Sequence, residues 1–274
     1  MSSRPKPEEP PARRKMREAL RALHNSLASL KIDQVDFPTC ARLQICISSM
    51  SLDEESDSKP TFFAFYSSPA LQLPTENYDR ERDLEYPTYD PDEPLHWRTP
   101  LSCSGALVDY FRSYLASVHS SPGYVVHDET WSLASLGEQP WVGLDRYQQP
   151  EHQTIMLQQD KKMSLPHLKA TFYCDHVGAD DRLLHGELLV IFRLMITQLR
   201  RTVIFQHVVA PILLFSFMGV QHARVIEAYF NGTQLVVRLT KLHDLRTKDA
   251  QAFMAFGQLY FGKAIGSTRA LPTS

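Results

Sequence analysis

Leu183–Arg201 reads LLHGELLVIFRLMITQLRR, Val208–Gly219 reads VVAPILLFSFMG, His222–Leu239 reads HARVIEAYF-NG-TQLVVRL and Thr247–Gly262 reads TKDAQAFMAFGQLYFG. In that order the four segments predict helix, strand, hairpin and helix. The first is apolar nearly all round: Leu184, Leu188, Ile191, Phe192, Met195 and Leu199 make one stripe, and Leu189, Val190, Leu194 and Ile196 populate the other side. Such a helix is buried between layers. Arg200 and Arg201 suit the negative pole at its end.

Val208–Met218 is an apolar run of strand length, as expected of a central strand covered on both faces. Pro211 cannot donate to a ladder, so it belongs at the strand's start. Asn231-Gly232 then signals a two-residue hairpin turn, because a type I′ turn needs positive φ at both positions. That turn pairs Phe230 with Thr233, Ala228 with Leu235, Ile226 with Val237 and Arg224 with Leu239 on an apolar face. Glu227 stands opposite Val236 on the other face, diagonal to Arg238, where an exposed ion pair is within reach. The closing helix gathers Ala250, Phe253, Met254, Gly257, Tyr260 and Phe261 on one side.

Working outward, the fold class expected is α/β or α+β: a mixed sheet with a C-terminal β-hairpin covered by helices, plus an irregular Pro-rich arm. A tail and amphipathic helix fill 1–31. One α/β domain spans 32–274, with an irregular insertion at 67–100 and the core unit at 183–262. A chain of 274 residues, 43% hydrophobic and 22% charged, is long enough for a large core. A net charge of -2 does not favour broad electrostatic contact with nucleic acid or an anionic membrane. Cys40, Cys46, Cys103 and Cys174 are irregularly spaced with no secretory signal at the start, so reduced thiols and an intracellular location, cytoplasmic or nuclear, are expected. Asn231-Gly232-Thr233 is then a turn rather than a glycosylation triplet. The window Val203–Val220 nears spanning length, but Gln206, His207 and Pro211 interrupt it, so no membrane partner is expected.

Residues 1–11 are Pro-rich and charged and read as disordered. Met16, Leu20, Leu23, Leu27 and Leu30 then fall on one stripe of a helix from Ala12 to Lys31. That stripe docks on its own domain or meets a protein partner or second copy. Arg13, Arg14, Lys15 and Arg17 make a basic start suited to import or phosphate binding, or simply to solvent. Arg42–Ser49 alternates as a strand with one wet face, and residues 53–58 form an acidic loop. Phe62, Phe63, Phe65 and Tyr66 suit a second short strand. A helix begins near Ser104, carrying Val108, Phe111, Leu115 and Val118. Residues 124–166 read as loops and short strands, and His167–Cys174 as a half-buried strand.

Ligand-type residues are densest in His167, Cys174, Asp175, His176, Asp180, Asp181 and His185. His176, Asp180 and His185 are the metal candidates, although paired short Cys or His spacings are missing. The bland alternative is a polar turn in which Asp180 or Asp181 caps the helix. Cys174 beside His176 suggests a thiolate nucleophile, with no orienting group or oxyanion site in view. GxGxxG, GxxxxGK[ST], GxSxG and HExxH are absent, so dinucleotide, P-loop and common hydrolase chemistry are not expected.

The helix, three-strand, helix order resembles the core of the PD-(D/E)xK nuclease-like superfamily. That resemblance implies acids gathered around Mg²⁺, with Glu187 and Glu227 as the catalytic candidates. Gln234–Arg238 lacks the acid-x-Lys element and Lys241 lies past the strand, which implies an inactive relative if the fold is shared. The stretches HGELL, PILLFSFMG, QHARVIEAYFNG and KLHDL also resemble a family of uncharacterised filamentous-fungal proteins, which brings no activity with it. Two functions from different classes stand at this point. One is a non-catalytic interaction or scaffold protein with no cofactor. The other is a metal-dependent nuclease-like enzyme, or its inactive descendant, built on Glu187, Glu227 and Mg²⁺.

Overall fold

The computed structural model describes residues 8–92, 99–121, 130–144 and 152–272. In chain order the helices are α1 (Pro11–Ala28), α2 (Phe37–Arg42), α3 (Glu76–Glu81), α4 (Pro100–His119), α5 (His185–Gln198) and α6 (Ala250–Phe261). The strands are β1 (Gln34–Asp36), β2 (Ile45–Ser49), β3 (Trp131–Leu133), β4 (His152–Asp160), β5 (Leu168–Cys174), β6 (Arg182–Leu184), β7 (Ile212–Met218), β8 (His222–Phe230), β9 (Leu235–Leu239) and β10 (His243–Asp244).

One eight-stranded sheet organises the described residues, in the order β2-β9-β8-β7-β5-β4-β3 with β10 beside β8. β2 runs parallel to β9 and β5 parallel to β7, and the other pairings are antiparallel. The sheet is therefore mixed, and the class is α+β, as expected. β1 and β6 form a separate antiparallel pair.

Alternation along the central strands makes two cores. Phe172, Leu214, Ile226, Ala228 and Val237 point to the α5 face, where α1 packs over α5 through Met16, Leu20 and Leu27. Phe215, Phe217 and Val225 point the other way, toward Phe111 of α4 and Phe253 and Phe256 of α6. Each phenylalanine buried this way contributes about 2 kcal/mol. With helices on both faces, the apolar runs in β5 and β7 need no polar side.

The core unit folds as expected, with one change of register. Phe230 pairs with Leu235, Ala228 with Val237 and Ile226 with Leu239, so Asn231–Gln234 form a four-residue loop. The Asn231 carboxamide oxygen accepts from the Thr233 and Gln234 N–H groups and the Thr233 hydroxyl, at 2.9–3.0 Å, and only Gly232 takes positive φ. Because the shift is two residues, every side chain keeps its face. Glu227 now stands directly opposite Arg238, and its face is covered rather than wet.

Other expectations need correction. His167–Cys174 is buried on both faces, since β5 lies between β4 and β7. α4 starts at Pro100 with Thr99 as cap, and Ser104 instead donates to the Leu101 and Cys174 carbonyls. Phe62 and Phe63 are core residues on a chain segment joined to residues 263–265 by one isolated bridge with two backbone hydrogen bonds, not a strand. Between 124 and 166, parts of which lie outside the described residues, the expected short strand is present as β3, but β4 is a full nine-residue strand. The 67–100 arm is not structureless, because α3 sits in it; Lys248 and the Tyr110 hydroxyl both donate to Asp79 of α3. Asp180 and Asp181 do not cap α5; Asp180 accepts from the Leu242 N–H and Asp181 pairs with Arg182. The disorder expected for 1–11 falls mostly on residues outside those described.

Arg13 explains how α1 docks. Its buried guanidinium donates to the carbonyls of Gln198, Leu199, Ile204 and His207, and to that of Arg201, thereby capping the end of α5. It does the work expected of Arg200 and Arg201. Burial lowers its pKa to about 10, so it stays charged. The apolar stripe of α1 is thus taken up by its own domain and offers a second copy no face. No helix among the described residues is long and apolar enough to cross a membrane.

Candidate functional site

Glu187 opens α5, with its side chain turned inward toward β8. One carboxylate oxygen accepts from Arg224 Nε at 2.9 Å, and the other from Arg224 Nη2 at 2.5 Å and the Leu184 N–H at 2.8 Å. Arg224 Nη1 donates to the Ala179 and Arg182 carbonyls, and both side chains are wholly buried. The pair is a bidentate bridge that fastens α5, β8 and the chain before β6.

Glu227 lies three residues, an odd number, along β8 from Arg224 and so points to the opposite face of the sheet. It accepts from the Thr61 and Phe62 N–H groups at 2.9 and 2.7 Å and from Arg238 Nη1 at 2.8 Å. Arg238 also donates to the Ser58 carbonyl and the Thr61 hydroxyl. Its carboxylate is fully buried, so the exposed cross-strand pair expected from the sequence is a buried anchor for the 58–62 segment. The two carboxylates do not meet, and each already has its oxygens occupied.

The metal candidates also lie apart. His185 donates from Nε2 to the Leu27 carbonyl at 3.0 Å, which ties α5 to the end of α1. His176 sits between Asp175, at 2.6 Å, and Asp33, at 3.6 Å. Asp180 is engaged with Leu242. Among the described residues no three His, Cys, Asp or Glu side chains converge as a metal set. Burial pushes the Cys174 thiol well above the usual range, which works against a thiolate there.

No family model, curated protein or solved structure matches this chain. Its chemistry therefore has to be read from its own side chains.

Several buried cations do structural work. Lys169 projects from β5 and donates to the Tyr260 and Gly262 carbonyls at 2.8 and 2.5 Å, with its ammonium 4.1 Å from the Trp131 ring centre. It closes the end of α6 from inside the core, as Arg13 closes α5. Burial lowers its pKa well below the ordinary lysine range. At the surface, Arg21 and His24 of α1, Arg193 of α5 and Arg200, just past the end of α5, line one open groove. A sequence signal existed within α1, where Arg21 and His24 are three apart and so share a face. The convergence of all four needed the docking of α1 on α5.

Proposed function

We propose that this chain is a non-catalytic interaction or scaffold protein, acting by binding rather than by turnover, inside the cell in the cytoplasm or nucleus. One observation carries the reading: its two foremost acid candidates, Glu187 and Glu227, sit on opposite faces of the sheet, each neutralised by an arginine and each accepting backbone N–H groups. Carboxylates saturated in this way hold helices and loops in place. No disulfide joins Cys40, Cys46, Cys103 and Cys174, and three of them are buried, which supports a reducing compartment. Partner contact falls to surfaces other than the apolar stripe of α1.

Two measurements test this together. Purification from the native cells under mild conditions is expected to recover the chain in a stoichiometric assembly larger than its own 31.3 kDa. Incubation of the pure chain with single- and double-stranded nucleic acid and Mg²⁺ or Mn²⁺ is expected to leave the nucleic acid intact. A chain recovered alone, with cleavage abolished by both Glu187→Gln and Glu227→Gln, overturns the proposal.

A further inference from the structure

The sheet ends at β2, whose residues Ile45–Ser49 pair with β9 on one side only. The Gln44 carbonyl accepts from the Leu235 N–H and the Met50 N–H donates to the Leu239 carbonyl, so the even-numbered backbone groups of this strand face β9. Direction alternates along a strand, and Ile45, Ile47 and Ser49 therefore turn their N–H and C=O groups outward. Among the described residues nothing bonds to those groups. Cys46, Ser48 and Ser49 are exposed. Proline, lysine and bulges commonly protect such an edge, and β2 (ICISS) has none of them. At the other end of the sheet β3 offers a shorter edge, Trp131–Leu133.

Antiparallel pairing of this edge with a second copy of itself has one register that uses Ile45, Ile47 and Ser49 together. Ile47 then lies opposite Ile47 of the second copy, and Ile45 opposite its Ser49, each pair exchanging two N–H···O bonds. A slip by two residues leaves one outward residue of each strand unpaired. Ile47 is half-buried against the α5-side core, so the pairing carries that apolar face across into the copy. The ends of the seam match in charge. Arg42, exposed just before β2, donates to the Thr39 hydroxyl and has no ion pair among the described residues, while Asp36 accepts from the Thr39 N–H. Beyond the end of β2 come Asp53, Glu54 and Glu55, all exposed and likewise without an ion pair among the described residues; Lys59 donates to the Glu54 carbonyl instead. The antiparallel register sets these acids beside Arg42 of the second copy, once at each end. An unrelated extended peptide would take the same backbone groups without this reciprocal match.

We propose that β2 is a self-association surface, at which two copies of the chain join their sheets edge to edge about a two-fold axis through Ile47. The interface is isologous, with the same patch used on both copies. A seam this short makes a weak dimer, formed at micromolar rather than nanomolar concentration. The inference rests on the interaction reading and names one partner for it.

Sedimentation velocity of the pure chain over about 1–200 μM tests it. The average mass is expected to rise with concentration from 31.3 kDa toward twice that value. Ser49→Pro is expected to hold the mass at that of one chain, because it removes an outward donor and sets a ring in the seam while leaving the β9 ladder intact. Arg42→Glu is expected to weaken association roughly five- to tenfold, and addition of Glu54→Arg with Glu55→Arg to recover most of the loss. Ser48→Cys reads the register: residue 48 lies opposite Cys46 of the second copy, with Cα atoms about 4.5 Å apart and within reach of a disulfide. With oxidised glutathione this variant is expected to give a disulfide-linked dimer, and the unsubstituted chain, with Cys46 opposite Ser48, to give none. Unchanged circular dichroism verifies that the variants are folded. A mass that stays at one chain, association undiminished in Ser49→Pro or Arg42→Glu, no cross-link in Ser48→Cys, or a cross-link in the unsubstituted chain as fast as in that variant overturns the proposal. A pure chain that stays monomeric yet is recovered from native cells in a larger assembly overturns the dimer and leaves the interaction reading standing.

Discussion

Glu187 and Arg224 show how a single residue can look catalytic in a sequence and be structural in a fold. An acid early in an apolar helix has two uses: it can face an open cleft, or it can meet a buried cation. Here it meets Arg224, and both are inaccessible to solvent. Removing one partner from a buried pair leaves an uncompensated charge. Glu187→Gln is therefore expected to lower stability by about 3–5 kcal/mol in urea titration. Joint replacement of Glu187 and Arg224 by methionine is expected to cost less than the glutamine variant alone, because no charge is stranded. A single-variant loss below about 1 kcal/mol would show that water reaches the pair.

At the scale of elements, the docking of α1 and the β8–β9 hairpin each turn on one side chain. Arg13→Ala takes a donor from five carbonyls at and beyond the end of α5, of which those of Gln198 and Ile204 keep a backbone N–H partner. Amide exchange is expected to quicken throughout α1 while β7 stays protected; uniform exchange would mean that α1 and the sheet unfold as one unit. Asn231→Ala removes the acceptor that shapes the hairpin loop and is expected to cost about 1 kcal/mol in thermal or urea unfolding. The same elements show what was legible in the sequence. α5, β7 and α6 were readable because apolar periodicity is a local property, and the hairpin's faces survived the register error because the slip was even. α2, α3 and most of β4 were not, since Phe37-Pro38, the arm and His152–Asp160 carry no clean period and are held by distant partners. The groove was illegible for the same reason: Arg21 and His24 lie more than 150 residues from Arg193 and Arg200, and the two segments are brought together by Arg13 and by His185.

For the whole molecule, the C-terminal segment returns to close the core, and two buried histidines receive it. His167 donates from Nε2 to the Ile265 carbonyl at 2.9 Å, and His207 Nδ1 lies 2.6 Å from the Thr268 hydroxyl. Val208 and Val209 N–H groups both donate to the Thr268 carbonyl. Burial lowers the His167 pKa to about 4, opposed by its hydrogen bond to Ile265, and burial also lowers that of His207. A histidine whose pKa falls on folding is neutral in the native state while the unfolded chain takes up its proton. Its stabilising effect is complete above the unfolded value, about 6.5, and is lost as pH falls toward the folded value. Stability is thus expected to hold from pH 8 to 7 and to decline between about 6.5 and 4, with a slope near 1.4 kcal/mol per pH unit for each proton taken up. His167→Gln keeps a donor for Ile265 but cannot titrate. Urea titrations of this variant at stepped pH should show a shallower decline across that window, whatever the variant's stability at pH 8. An undiminished slope would mean that His167 titrates alike in the folded and unfolded chains, and that the closure of the core by the C-terminal segment does not depend on its protonation.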